Sequence, residues 1–125
     1  MDAEQKIGRL ALEMAEHAAE RLLVYAEVED EVISADLFYT TSVSEGVRFR
    51  FASTALREEI YSFWDAWRKD GKPEWRTMAY VMVGGKFSID FLYEDQMKAD
   101  EELHDRRPKV VREHFGDMKV DYSRP

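Results

Sequence analysis

A single predicted β-hairpin constrains the fold of this chain more than any other feature. The stretch from Trp75 to Asp95 contains two runs of β-branched and aromatic residues around Gly84-Gly85, a loop that supplies the positive φ angles of a tight turn. We predict that Val83 pairs with Lys86 across this turn. Because strand side chains alternate between two faces, one face then carries apolar and aromatic residues and is predicted to lie in the core: Met78, Tyr80, Met82, Phe87, Ile89, Phe91 and Tyr93. The opposite face is mixed in polarity and is expected to be partly open to water or to a partner.

Composition limits the fold class and excludes several kinds of chemistry. The chain has 125 residues, of which 45% are hydrophobic, which suits one domain with one core. It has no cysteine, which excludes disulfides, thiolate metal sites and cysteine nucleophiles. No apolar run has membrane length, and the first residues are acidic rather than signal-like. We therefore expect one domain over residues 1–125 that is cytoplasmic and does not bind membranes.

Hydrophobic periodicity predicts a helix and then a second hairpin in the first third of the chain. Apolar residues at spacings of three and four predict a helix over residues 3–21, which includes His17 as a half-exposed position. Two strands, Leu22 to Glu29 and Ile33 to Thr41, are predicted to form the hairpin around the acidic turn Glu29-Asp30-Glu31.

A third strand and a second helix are predicted before the central hairpin. Residues 46–53 alternate, with Val47, Phe49 and Phe51 predicted inward and Arg48 and Arg50 outward, where the arginines would pair with acids on a neighbouring strand. Ser53 or Thr54 is expected to cap the following helix, which ends at Gly71 and Pro73. Its apolar stripe is predicted to lie on the sheet: Leu56, Ile60, Phe63, Trp64 and Trp67.

The last quarter of the chain predicts one more helix. Pro108 is tolerated in a first helical turn, so we predict a helix that starts near Arg106 to Pro108 and ends before Gly116. The acidic residues 94–105 are predicted to form a loop or a short helical turn, and residues 117–125 a loose tail. Together the elements predict an α+β fold, with an antiparallel sheet of about five strands and helices packed on it, in the order α-β-β-β-α-β-β-α.

The net charge of −8 is concentrated in two segments. Residues 1–36 hold ten acids against three bases, and residues 90–105 hold seven acids against Lys98. Such charge disfavours direct binding of nucleic acid and suits a basic protein partner that itself binds phosphates. A surface that serves only solubility is the alternative.

Nothing in the sequence matches an established catalytic motif. Asp90, Glu94, Asp95 and His104 are candidates for a metal site, but Asp95 points away from Asp90 and Glu94 on a strand, and the spacing fits no metal motif. Gly84-Gly85 lacks the rest of a phosphate-binding loop, and no serine lies in a nucleophile elbow. We expect no enzyme activity, metal or cofactor. A small metal-dependent hydrolase and a scaffold or adaptor domain stay as alternatives.

Residues in the second half of the chain resemble a family signature. In order they are Trp75, Thr77, Met78, Gly85-Lys86-Phe87, Ile89-Asp90-Phe91, Tyr93-Glu94-Asp95, Arg106-Arg107 and Phe115-Gly116. This set resembles the YezG-like family of antitoxin and immunity proteins over residues 73–116, with Val110 where members carry a tryptophan. The resemblance implies a protein that binds and neutralises a polymorphic toxin, typically a nuclease domain, made by the same cell.

This hypothesis places the toxin contact on the acidic stretch at the end of the hairpin. Its residues are Asp90, Tyr93, Glu94, Asp95, Asp100, Glu101, Glu102 and Asp105. The acids would oppose toxin lysines and arginines, and Tyr93 is the candidate anchor. The alternatives are a core position for Tyr93, and a structural role for Glu94-Asp95, which would cap the next turn or pair with Arg106 or Arg107. The bases of residues 106–112 are expected to pair with the acids immediately before them.

Overall fold

A computed structural model describes residues 2–42, 46–96 and 103–122, with the backbone alone at residues 103 and 104. Over these residues the chain forms three α-helices, six β-strands and a 3-10 turn at Glu94–Gln96. The elements are α1 (Ala3–Met14), β1 (Ala19–Glu29), β2 (Val32–Thr41), β3 (Val47–Phe51), α2 (Thr54–Lys69), β4 (Trp75–Val83), β5 (Lys86–Tyr93), α3 (Leu103–Phe115) and β6 (Val120–Asp121). The strands form one sheet in the order β5-β4-β1-β2-β3-β6, antiparallel except for the β3–β6 pair. The predicted α+β fold is confirmed, with six strands rather than about five.

The central hairpin has the predicted register. Val83 lies opposite Lys86, and Gly84 and Gly85 adopt φ angles of 60° and 80°. One residue of the predicted core face is an exception, because β5 is an edge strand: Phe87 is 43% exposed and stacks on the ring of Tyr80 with centroids 5.2 Å apart. The other residues of that face are buried or pack against the core.

The helices α1 and α2 cover one face of the sheet. Asp2 caps α1 by accepting a hydrogen bond from the Gln5 amide at 2.8 Å, and Ser53 caps α2 by accepting one from the Leu56 amide at 3.2 Å. The predicted apolar stripe of α2 is confirmed, with four of its residues buried and Trp67 half-buried. Below the two helices lies the first core, which includes Met78 and Tyr80 of the hairpin.

The predicted extent of the first helix is wrong at its C-terminal end. The helix stops at Met14, and Glu16 and His17 have φ angles of 55° and 58°, so His17 lies in an exposed turn rather than in a helix. Strand β1 then begins at Ala19, before the predicted Leu22. Since β1 lies in the middle of the sheet and residues 22–28 are buried on both faces, its sequence lacks the alternation that would have marked its start.

Helix α3 covers the other face, over a second core. Its residues Val110, Val111 and Phe115 pack with residues of β1 to β4, which include Leu23 and Val81. The helix begins at Leu103, earlier than predicted, and holds Pro108 at its sixth position. A proline at this position cannot donate the intrahelical hydrogen bond to the carbonyl of residue 104, and the helix nevertheless continues to Phe115.

Two predictions about the β3 side of the sheet are wrong. Phe51 is 61% exposed rather than inward, because α3 lies over β1 and β4 and leaves the end of β3 uncovered. Among the described residues Arg50 forms no ion pair with an acid; it donates a hydrogen bond to the Tyr39 hydroxyl at 3.3 Å, and this contact raises the pKa of Arg50. Part of the predicted tail, Val120–Asp121, forms β6 alongside β3.

Candidate functional site

Two acidic groups that are far apart in the sequence lie at the same end of the sheet. The β1–β2 hairpin contributes Glu29, the last residue of β1, with Asp30 and Glu31 of its turn, and the turn after β5 contributes Glu94 and Asp95. The strands β5, β4, β1 and β2 are neighbours, and at this end Tyr93 pairs with Trp75 while Glu29 pairs with Val32. All five acids are exposed. We call these five residues the acidic end.

Arg76 links Glu94 to the end of β1. Its Nε donates a hydrogen bond to the Val28 carbonyl oxygen at 3.0 Å, and its Nη1 forms an ion pair with Glu94 Oε2. Arg76 is the additional residue of a β-bulge between Trp75 and Thr77, and a bulge redirects the side chain that it carries. Arg76 therefore ties Glu94 to the backbone of β1 at Val28, next to Glu29.

This arrangement differs from one alternative and one prediction of the sequence analysis. Glu94 pairs with Arg76 and not with Arg106 or Arg107. Arg107 pairs instead with Asp36 on β2, with 2.7 Å between Nη1 and Oδ2, and its guanidinium lies 5.8 Å from the ring centroid of Phe49. Both contacts hold α3 on the sheet, so the pairing of Arg107 is structural.

Tyr93 packs against the core, which was the alternative to its predicted role as an anchor for the toxin. Its side chain is half-buried and packs against the first core, with its ring centroid 6.4 Å from that of Phe91. Its amide donates a hydrogen bond to Gln96 Oε1 at 3.0 Å, so Gln96, rather than Glu94 or Asp95, closes the turn that follows β5. Tyr93 thus fixes where the turn begins and offers only part of its surface to a partner.

The remaining candidate residues lie on either side of this turn. Asp90 is exposed on β5, opposite Ala79 on the face that α3 covers only in part, and Asp105 is exposed in the first turn of α3. Asp100, Glu101 and Glu102 lie outside the described residues, and so does the side chain of His104. Within the described part of the chain, no three histidine, aspartate or glutamate residues are grouped so that they would hold a metal ion.

Basic residues at the end of α2 neutralise part of the acidic end. Arg68 donates hydrogen bonds to Glu31 at 2.7 Å and to Asp65 at 2.9 Å. The bond that it donates to Glu31 is the main cause of the raised pKa of Arg68. Lys69 also pairs with Asp65, at 2.8 Å, and Lys69 and Arg68 lower the pKa of that carboxyl. Among the described residues, no cation pairs with Glu29, Asp30 or Asp95. These three carboxylates carry the unneutralised charge of the acidic end.

The charge count along the sequence predicted this site only in part. Of the acids in residues 1–36, only those of the β1–β2 turn reach the acidic end, whereas Asp2 caps α1 and Asp36 binds α3. Arg76 was missed as a site residue, since nothing in the sequence marks the bulge that aims its side chain at Glu94.

The fold and the site define a small α+β protein that presents a charged surface at one end of its sheet. No helix among the described residues is both long enough and apolar enough to cross a membrane. The sequence model of a family described as "Immunity protein YezG-like" matches residues 5–123, which is nearly the whole chain. The chain belongs to the YezG-like immunity protein family, which confirms the resemblance, and a protein of this family acts as an immunity protein or antitoxin with a toxin as its partner. No curated protein matches the chain.

Proposed function

We propose that this immunity protein neutralises its toxin by binding it through the acidic end and the acids beside it, and that the toxin is a nuclease. The observation that carries the proposal is the position of the two acidic groups at the same end of the sheet, where Arg76 ties Glu94 to β1. The proposed contact also includes the other residues of the hairpin end and the segment before α3: Asp90, Tyr93, Asp100, Glu101, Glu102 and Asp105.

Charge complementarity supports a nuclease as the toxin. A nuclease cleft is basic because it must hold phosphates, and exposed carboxylates at matching positions compete for the same lysines and arginines. Glu29, Asp30 and Asp95 suit this role because they are exposed and have no cationic partner among the described residues. Such charges mainly accelerate association and favour the right partner, while affinity requires buried contacts as well.

The proposal also includes the inhibition mechanism and the cellular location of the protein. The protein acts by occlusion, with no catalytic step of its own, and it binds neither nucleic acid nor membrane. A net charge of −8 supports the first exclusion, because nucleic acid binding needs a basic surface. We place the protein in the cytoplasm, which is consistent with a chain that has no cysteine.

Charge neutralisation at the acidic end tests the mechanism. The triple variant Glu29→Gln, Asp30→Asn and Asp95→Asn removes three charges without a change in side-chain size. We expect the association rate with the toxin, measured by stopped flow in low salt, to fall about tenfold, and the difference from wild type to shrink as salt screens the charges. The toxin for this assay is the protein encoded beside the chain or co-purified with it.

A matched control removes the same net charge elsewhere. Glu20, Glu58 and Glu113 are exposed on β1, α2 and α3, and the triple variant with glutamine at all three keeps the acidic end intact. It should associate at nearly the wild-type rate. Equal slowing in both triple variants would mean that net charge matters and the acidic end does not. A third variant, Asp100→Asn with Glu101→Gln and Glu102→Gln, measures the contribution of the segment before α3 separately.

A further inference from the structure

Strand β5 is an edge of the sheet with one side unpaired among the described residues. It bonds to β4 alone and is eight residues long, from Lys86 to Tyr93. Phe87, Ser88 and Asp90 are exposed, and among the described residues α3 packs mainly on β1 and β4. A long edge strand of this kind is a template for pairing with another strand.

The hairpin register determines which backbone groups are available. In a two-residue hairpin the residues that flank the loop, Val83 and Lys86, exchange hydrogen bonds, and the bonded pairs then recur at every second residue. Lys86, Ser88 and Asp90 therefore bond to β4. The amide and carbonyl groups of the alternate residues Phe87, Ile89 and Phe91 point away from the sheet.

We propose that β5 pairs antiparallel with β5 of a second copy of this chain, around a two-fold axis at Ile89. In this register the outward backbone groups of Phe87 meet those of Phe91 in the other copy, and Ile89 meets Ile89. On the apolar face the pairing covers Phe87, which is 43% exposed in the single chain, with an aromatic ring. The two sheets become one sheet of twelve strands that runs through both protomers.

The other face of β5 supports the same register. There the pairing sets Ser88 opposite Asp90 of the second copy, so that a hydroxyl donates to a carboxylate twice across the axis. Lys86 lies diagonal to Asp90 of the second copy, within reach of a long side chain. Charged residues on an edge strand usually prevent pairing, but here the two signs alternate so that two-fold pairing brings opposite charges together.

Neighbouring registers are less favourable. A shift of the axis to Asp90 sets the two Asp90 carboxylates directly opposite each other, which is destabilising. A shift to Ser88 leaves only residues 86–90 of the strand paired, and separates Phe87 from Phe91 of the other copy. The register around Ile89 is the longest one that sets no like charges opposite each other.

The dimer and the proposed toxin contact share Asp90. A toxin that contacts Asp90 competes with the second copy for this edge, whereas the acidic end lies beyond the paired residues. The dimer is therefore a form of the toxin-free protein. Its test needs no toxin, so its outcome is independent of the proposed function.

Sedimentation velocity over a concentration series tests the proposal on the purified full chain. We expect the mass to rise from monomer to dimer at concentrations up to about 1 mM, the range in which small interfaces associate. Ile89→Pro removes an outward amide while leaving the bonds to β4 in place, and should abolish the dimer. Ile89→Val keeps the amide and should still dimerise. Thermal unfolding of both variants confirms that they are folded.

Two substitutions at the exposed residue Ser88 test the register. Ser88→Asp sets a carboxylate opposite Asp90 twice and should raise the dimer dissociation constant about 2- to 30-fold, while Ser88→Lys should lower it by a similar factor. If both weaken the dimer, the axis lies at Ser88 and the proposed register is wrong. A wild-type chain that stays monomeric at every concentration overturns the proposal. Should toxin binding then respond to the Ser88 variants, the edge takes an extended segment of the toxin instead.

Discussion

Replacement of Arg76 by methionine tests how the acidic end is held together. The variant keeps most of the apolar stem but removes two interactions: the 3.0 Å hydrogen bond from Nε to the Val28 carbonyl and the ion pair with Glu94. A hydrogen bond from a charged donor stabilises by about 1.5–3 kcal/mol, and the lower value applies because the Arg76 side chain is 27% exposed. The ion pair adds under about 1 kcal/mol, since the Glu94 side chain is 74% exposed. We expect the free energy of unfolding to fall by about 2 kcal/mol.

Urea unfolding followed by tryptophan fluorescence measures this loss, because Trp75 is buried next to Arg76. Glu94→Gln is the matched control: it removes the ion pair and leaves the bond to Val28, so the loss should stay below about 1 kcal/mol. If Arg76→Met and Glu94→Gln destabilise the protein equally, the bond to Val28 contributes nothing. The claim that Arg76 fastens the turn after β5 to β1 would then be refuted.

Three further substitutions test the packing around the sheet. Gly8→Ala should destabilise the protein by about 1–3 kcal/mol, because a Cβ at this position would lie 2.4 Å from Tyr80 Oη and 2.8 Å from Met82 Cε. A higher Tm in this variant would contradict the close approach of α1 to the sheet. Burial raises the pKa of Tyr80 to about 12, compared with about 10 in the unfolded chain. The protonated hydroxyl therefore contributes about 2–3 kcal/mol of stability, which is fully present below about pH 10 and is lost as the pH rises through about 12. Urea titrations on both sides of about pH 10 should show a smaller loss in Tyr80→Phe, and equal losses would argue against the shift. Asp36→Ala leaves the half-buried Arg107 without its carboxylate partner, and thermal unfolding should show a loss of about 1–3 kcal/mol in stability. If Glu113→Ala, at an exposed site, destabilises the protein as much, the ion pair does not contribute to stability.

Local sequence signals predicted the elements that are bounded by clear turn or capping residues. Gly84-Gly85 between alternating apolar runs was enough for the register of the central hairpin, and Ser53 with a stripe at helical spacing was enough for α2. The end of α1 was not predictable in this way. The turn at Glu16 and His17 is followed by β1, whose burial on both faces removes the alternation that identifies a strand, and the apolar residues Ala18 and Leu22 continue the helical spacing by coincidence.

Features that depend on contacts between residues far apart in the sequence could not be predicted from local sequence patterns. Strand β6 has two residues, too few for a periodic pattern, and it exists because β3 offers an edge. Arg107 pairs with Asp36 across 71 positions of the chain, where proximity in sequence favoured the acids just before it. Similarly, the acids of the β1–β2 turn belong to the candidate site only because the strand order sets β1 and β2 beside the β4–β5 hairpin.

Co-expression of the chain with its toxin tests the central claim most directly. Cell survival and recovery of the complex are scored together for wild type, for the triple variant at Glu29, Asp30 and Asp95, and for the control variant at Glu20, Glu58 and Glu113. The account predicts rescue with a stable complex for wild type and for the control, and weaker rescue with less complex for the acidic-end variant. Rescue without any complex would contradict neutralisation by binding, and full rescue by the acidic-end variant would contradict the proposed surface.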